Sequence, residues 1–390
     1  QAWDELPVLP EGRIGIYVGS HTHFSEKQNR AIDRFCATYD AVVICDHRSG
    51  YYGKYKLLPT LVQLQSDITS PFPPLDLMVH IGEISAASFN DTIPAKEVWR
   101  VSEDGELRDP FKKLTTVFQM SEEMFFLHYG KDGCNRHVLI DECRELFGEI
   151  YEQIPELPFC NIWTAMQLSS RLPKGALFHM GVSNTRRCWN MFQLPESVES
   201  ACNVGCCGID GCVSTLVGAS LVNPDRLCYV VVGDLTFFYD LNSLGNHHIG
   251  TNLRVMLVNN GRGTEFRLGI HHCNVFGDDA DKYMAAAGHF GNKSPLLVKH
   301  YAEDLGFHYL SATTKEEFMT ALSNFTNPQL SDHSMILEVF TDSKDESEAL
   351  YLMSHIQSDA KGMVRSKLKD AVRNVAGEKG INAIKKILKK

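Results

Sequence analysis

No apolar run in this 390-residue chain approaches the about eighteen residues that a membrane-spanning helix needs, so contact with a membrane is not expected. Basic residues are in deficit. The 38 Lys and Arg face 48 Asp and Glu, a net charge of −10, which argues against a nucleic-acid binder. A CxxC pair is missing although there are twelve cysteines, and the tight set Cys202, Cys206, Cys207 and Cys212 lacks common zinc-ligand spacing. A reduced, cytoplasmic chain is therefore expected. Internal repeats and low-complexity tracts are absent as well. The chain opens QAWDELP, with neither an initiator Met nor a signal-peptide pattern, and that start reads as a cut end. What is present is ordinary for a soluble globular protein: 44% hydrophobic and 22% charged residues. The length suits two domains.

Short Val- and Ile-rich runs alternate with segments of helical period. Arg13–Val18, Ala41–Cys45, Leu77–Ile81 and Glu97–Val101 read as strands, with a helix from Ser25 to about Thr38. Alternation of this kind implies an α/β fold with a parallel, Rossmann-like sheet. Val138–Ile154 reads as a connecting helix. A second α/β unit follows, with helices at Leu296–Leu305 and Lys315–Asn324 and strands at Tyr309–Ala312 and Ser334–Phe340. The expected division is 1–135, a first Rossmann-like domain; 136–157, the connecting helix; 158–345, a second parallel-sheet domain; and 346–390, a basic helical tail. Residues 361–390 carry ten Lys and Arg against Asp370 and Glu378, with apolar residues at helical spacing. Such a helix more often packs on its own domain than on an anionic surface.

The most informative spacing lies in the second unit. Gly233-Asp234 is followed, twenty-six positions after Asp234, by Asn260 of Asn259-Asn260-Gly261. Leu227–Val232 and Leu253–Val258 are nearly pure apolar runs, as in strands buried on both faces, and a crossover helix fits between Tyr239 and about His248. A βαβ unit of this kind brings two strand ends side by side, where open α/β sheets bind ligands. A carboxylate from Asp234, an amide oxygen from Asn260 and a backbone carbonyl near Arg262 supply hard oxygens suited to Mg²⁺. Gly233 permits the tight turn, and the amides of Leu235 and Thr236 open the helix where they can face an anion. A plain βαβ turn with a capping Asp is the alternative. A dinucleotide fingerprint is disfavoured because GDLTFF lacks the second and third glycines.

The GD…NN spacing resembles the diphosphate-binding motif of thiamine-diphosphate (ThDP) enzymes. Upstream, Asn203-Val204-Gly205-Cys206-Cys207-Gly208-Ile209-Asp210-Gly211, then Ser214-Thr215 and Gly218, resembles an element of the menaquinone-pathway SEPHCHC synthases. The likeness runs from about Trp163 to Leu310 and more loosely over Arg13–Asp109. It implies ThDP and Mg²⁺ as cofactors, with Asp234, Asn260 and the Arg262 carbonyl on the metal. Gly208, Ile209, Asp210, Gly233, Leu235, Thr236 and Phe266 would lie along the cofactor, Ile209 as the wedge that bends it. Ser183 and Arg187, in the segment from Gly181 to Arg187, would contact substrate; an Arg is the natural fork for a carboxylate. The chain departs from the pattern at Val204, where the family has an Arg, and at Glu265, where it has an apolar residue. Glu265 reads as a solvated loop residue, and His271 and His272 as neighbours on a covering loop.

The resemblance also implies a reaction class: decarboxylation of a 2-oxo acid and transfer of the acyl unit to an acceptor. In the family, the glutamate that activates the cofactor lies in a pyrimidine-binding domain for which these 390 residues have no counterpart. The chain alone is therefore expected to be inactive. It would meet that domain in a homodimer or tetramer of a longer protein, or in a separate partner chain. The other readings are a non-catalytic cofactor-binding subunit and a homologue that binds no cofactor.

Overall fold

The computed structural model describes residues 6–68, 72–83, 93–268, 271–283, 291, 293–360 and 363–364. Most of the basic stretch 361–390, with its expected amphipathic helix, lies outside the described residues.

Two six-stranded parallel sheets organise the chain. The first contains β1 (Ile14–Val18), β2 (Val42–Cys45), β3 (Lys56–Leu57), β4 (Leu75–Ile81), β5 (Ala95–Ser102) and β6 (Leu114–Gln119), in the order β3-β2-β1-β4-β5-β6. Its first crossover helix, Glu26–Tyr39, begins where the sequence demands. Ser25 and Gln28 form a capping box, satisfying two amide donors that a helix start leaves open. The order reverses between β1 and β4, where such sheets commonly hold dinucleotides. Here backbone fills that gap: Ser20 N–H donates to the Glu83 carbonyl at 2.7 Å, and Glu83 N–H returns to Ser20 at 2.9 Å. A Cβ on Gly19 would sit 2.4 Å from the Glu83 carbonyl oxygen, so this turn requires glycine.

The second sheet contains β7 (Leu177–Met180), β8 (Glu199–Cys202), β9 (Cys228–Gly233), β10 (Leu253–Asn259), β11 (His308–Ala312) and β12 (Met335–Phe340), in the order β11-β12-β10-β9-β7-β8. β9 and β10 are buried along nearly their whole length, which explains their unbroken apolar runs. Each fully buried Val or Leu there contributes roughly 1.5–3 kcal/mol, so a charged residue at Val231 would break the centre of the sheet. The crossover between β9 and β10 differs from expectation. Its helix starts at Asp234 and ends at Asp240, followed by a 3₁₀ turn over Leu241–Gly245. Phe237, fully buried, anchors the helix close to its start.

The two sheets share one continuous apolar core, and polar ties cross between them. His47, after β2, donates its backbone N–H to Asn190 Oδ1 at 3.0 Å, and its Nε2 to the Phe192 carbonyl at 2.8 Å. Burial pushes the His47 pKa down to about 4, so the ring stays neutral. The helix Ser343–Ser354, which crosses residue 345, runs from the second sheet back to the first. Gln65 caps that return, donating to the Met353 carbonyl at 2.8 Å and accepting from Ile356 N–H at 3.0 Å.

Candidate active site

Parallel strands place all their carboxyl ends on one edge, and the second sheet's order reverses between β7 and β9. The loops along that edge hold the residues singled out by sequence. After β8 comes the Asn203–Gly211 loop; after β7, Ser183 and the helix Asn184–Trp189; after β9, Asp234; and after β10, Asn260 and the turn Thr264–Arg267. Gly233 pairs in register with Val258, so Asp234 and Asn259 are next along their strands.

Asp234 is buried at 2% exposure. Its Oδ1 accepts the backbone N–H of Leu235 at 2.8 Å, so that amide points at its neighbouring carboxylate. Thr236 is buried one residue further on. Asn260 Oδ1 accepts from the Thr264 hydroxyl at 2.7 Å, and the Arg262 carbonyl accepts from Thr264 N–H at 2.9 Å. Gly261, at φ +81°, makes the left-handed turn that folds both oxygens onto Thr264. One carboxylate, one amide oxygen and one carbonyl on two adjacent loops are donors of the kind a hard divalent cation takes, with waters or phosphate oxygens completing the shell. The residues present therefore fit Mg²⁺. No cluster of three or more His, Cys, Asp or Glu suited to a metal occurs among the described residues.

The Asn203–Gly211 loop is held by the Asn203 amide, which donates to the Gly211 carbonyl at 3.1 Å and to the Thr215 hydroxyl at 3.0 Å. Gly211, at φ +119°, adopts backbone that other residues avoid. Ile209 is partly buried against the core of the second sheet, Gly208 and Asp210 flank it, and Val204 is buried. Phe266 sits edge-on to His271 with ring centroids 5.1 Å apart.

Ser183 stands at φ +59°, strained for a serine, at the entry to the helix Asn184–Trp189. Arg187, one turn on, meets Glu265 through two hydrogen bonds of 3.0 and 2.6 Å. Glu265 is therefore not a solvated loop residue. Its carboxylate is mostly enclosed and forked onto Arg187.

Two further buried carboxyl groups escaped the sequence reading. Glu338, on β12, accepts from the Asn259 amide and the Tyr309 hydroxyl, each at 2.8 Å. Burial, with Asp234 nearby, raises its pKa. Glu346, at 1% exposure, accepts from Asn161 N–H at 2.9 Å and from the Thr341 hydroxyl at 3.0 Å. Burial without a cation pushes its pKa up to about 7.

No protein-family model matches the chain. Curated relatives do. It is 33% identical over 263 residues to the 2-succinyl-5-enolpyruvyl-6-hydroxy-3-cyclohexene-1-carboxylate (SEPHCHC) synthase of Bacteroides fragilis, covering 66% of this chain and 45% of that protein. The synthases of Phocaeicola vulgatus and Bacteroides thetaiotaomicron are each 32% identical, over 66% of this chain and 44% of their own length. Over this stretch the chain belongs to the SEPHCHC-synthase-like family. It spans less than half the length of these relatives. Among the described residues, no helix is long and apolar enough to cross a membrane.

Proposed function

We propose that this chain forms the diphosphate- and metal-binding half of a ThDP- and Mg²⁺-dependent enzyme. That enzyme would decarboxylate a 2-oxo acid and pass the acyl unit to an acceptor. The observation that carries the reading is the placing of Asp234 and Asn260 after neighbouring parallel strands, on the edge that also carries the Asn203–Gly211 loop. The relatedness to SEPHCHC synthases supports it. When bound, ThDP supplies the electron sink for decarboxylation. The chain's own residues bind and orient. The Asp234 carboxylate, the Asn260 amide oxygen and the Arg262 carbonyl would hold the cation beside an anionic diphosphate. Gly233 and Thr236 border that anion, and Gly208, Ile209 and Asp210, with Phe266, shape the space for the rings. Ser183 and Arg187 stand on the substrate side. Assembly would be as a homo-oligomer, or with a chain that supplies a pyrimidine-binding domain.

Calorimetric titration of ThDP into the protein, with and without Mg²⁺, tests this. Binding should require the cation, because an anionic diphosphate beside the Asp234 carboxylate would need a positive charge to offset both, and Asp234→Ala should abolish it. Undiminished affinity in that variant with Mg²⁺ present would remove the assignment. Cation-dependent binding with no turnover, even beside a pyrimidine-domain partner, would favour a non-catalytic binding subunit.

A further inference from the structure

We propose that Glu265 sets the charge preference of the substrate side. By filling the guanidinium fork of Arg187, it makes that position a place for an uncharged ligand group rather than a carboxylate. The inference rests on the reading of Arg187 as a substrate-side residue. The pairing itself is a matter of geometry. Arg187 comes from the helix after β7 and Glu265 from the turn after β10, and they meet across the strand ends through parallel bonds of 3.0 and 2.6 Å. A third, longer contact of 3.4 Å runs from Arg187 Nη1 to Asn184 Oδ1. The Arg187 and Glu265 side chains are only 15% and 21% exposed.

Two parallel N–H···O⁻ bonds are the arrangement by which guanidinium grips a carboxylate ligand. A ligand carboxylate would have to displace Glu265, or share the fork against like-charge repulsion in a partly enclosed site. Val204 adds to the effect. It is apolar and buried on the loop after β8, so it offers no substitute cation. Of the neighbouring arginines, Arg267 bonds the Gly277 carbonyl, and buried Arg186 lies near Asp46 and Arg48. The site thus reads charge at Arg187 with the protein's own carboxylate already in place.

The test uses the 390-residue chain with succinate as a carboxylate probe and succinamide as its neutral isostere, by calorimetry at low ionic strength. ThDP and Mg²⁺ binding is measured on the same preparations. Glu265→Gln keeps the shape and removes the charge. Succinate should bind it ~10–100-fold more tightly than the wild type, the range of a charge-assisted fork. Succinamide should be unaffected. The double variant Arg187→Met/Glu265→Gln should lose the gain, which ties it to Arg187 rather than Arg262. Glu265→Ser serves as a second variant should Gln perturb folding, checked by circular dichroism. Wild type binding succinate as tightly as Glu265→Gln, or a gain that persists in the double variant, overturns the proposal. If ThDP fails to bind but the succinate pattern holds, the cofactor reading falls and the charge assignment stands.

Discussion

Replacing Glu346 with Gln should change how the stability of this protein depends on pH. The Glu346 carboxyl is fully enclosed at the start of the helix Asn161–Leu168, and its two firm bonds both reach Oε1. Oε2 has no partner of good geometry, although the Asn184 side chain is close enough to favour the anion. Asp345 and the buried Cys160 and Cys188 thiols are the other titratable groups beside it, and none offers a positive charge. The native pKa of about 7 exceeds the ordinary 4.5, so between those values the folded state holds a proton that the unfolded chain has released. The stability this group contributes is complete below pH 4.5 and is lost as pH rises through 7. The separation is worth on the order of 3 kcal/mol. Gln cannot ionise and keeps an oxygen for Asn161 and Thr341. The free-energy difference between variant and wild type should therefore grow in the variant's favour by roughly 2–3 kcal/mol from pH 4.5 to pH 8. The assay is urea unfolding across that range. Taking the difference between the two proteins cancels the opposite trend of the buried histidines. His47 and His179, at about 4, and His80, at about 3, cost stability as pH falls. Parallel pH profiles for the two proteins would refute the reasoning.

Two further substitutions follow from buried polar groups. Asn252→Ala removes a side chain that donates to the carbonyls of Ser220, Asn223 and Arg226, and should lower unfolding stability by roughly 2–3 kcal/mol; a urea midpoint that does not move would contradict this. Tyr309→Phe strips Glu338 of the hydroxyl that favours its anion. It should cost about 1–2 kcal/mol at pH 8 and less at pH 5, where more Glu338 is protonated. Equal losses at both pH values would count against that account of the carboxylate.

The parallel fold was legible because its evidence is local. Five-to-seven-residue apolar runs such as Ile14–Val18 and Leu253–Asn259 carry their own strand signal, and Ser25 with Gln28 marks a helix start within four residues. Four strands escaped notice: Lys56–Leu57 and Leu114–Gln119 in the first sheet, and two with weak signals in the second. Leu177–Met180 is four residues long, and Glu199–Cys202 is a half-exposed edge strand reading ESAC. From the sequence the crossover helix is expected to run between Tyr239 and about His248, although the amides of Leu235 and Thr236 read as opening a helix. In the structure Asp234, Leu235 and Thr236 form the first turn, fixed by the burial of Phe237.

The site divides along the same line. Gly233-Asp234 and Asn259-Asn260 are short motifs at fixed spacing, so the donors after β9 and β10 could be named from sequence. The carboxyl groups behind and beside them could not, because each gains its meaning from a partner far along the chain. Glu338 sits in MILEVF, a strand like any other, until Asn259 from β10 and Tyr309 from β11 close on its two oxygens. Glu346 lies on a helix whose sequence, SKDESEALYLMS, is rich in acids. Only the docking of Asn161 and Thr341 separates it from Asp345, its more exposed neighbour. Glu265 lies 78 residues from Arg187, and the fork exists only because β7 and β10 flank β9 and end on the same edge. Each case has the same physical cause. A carboxylate in water looks alike at every position, and its pKa and role are set by what desolvates it and what donates to it. Both are properties of the assembled sheet, so a motif can locate the donors while the charge balance around them is decided by strand order.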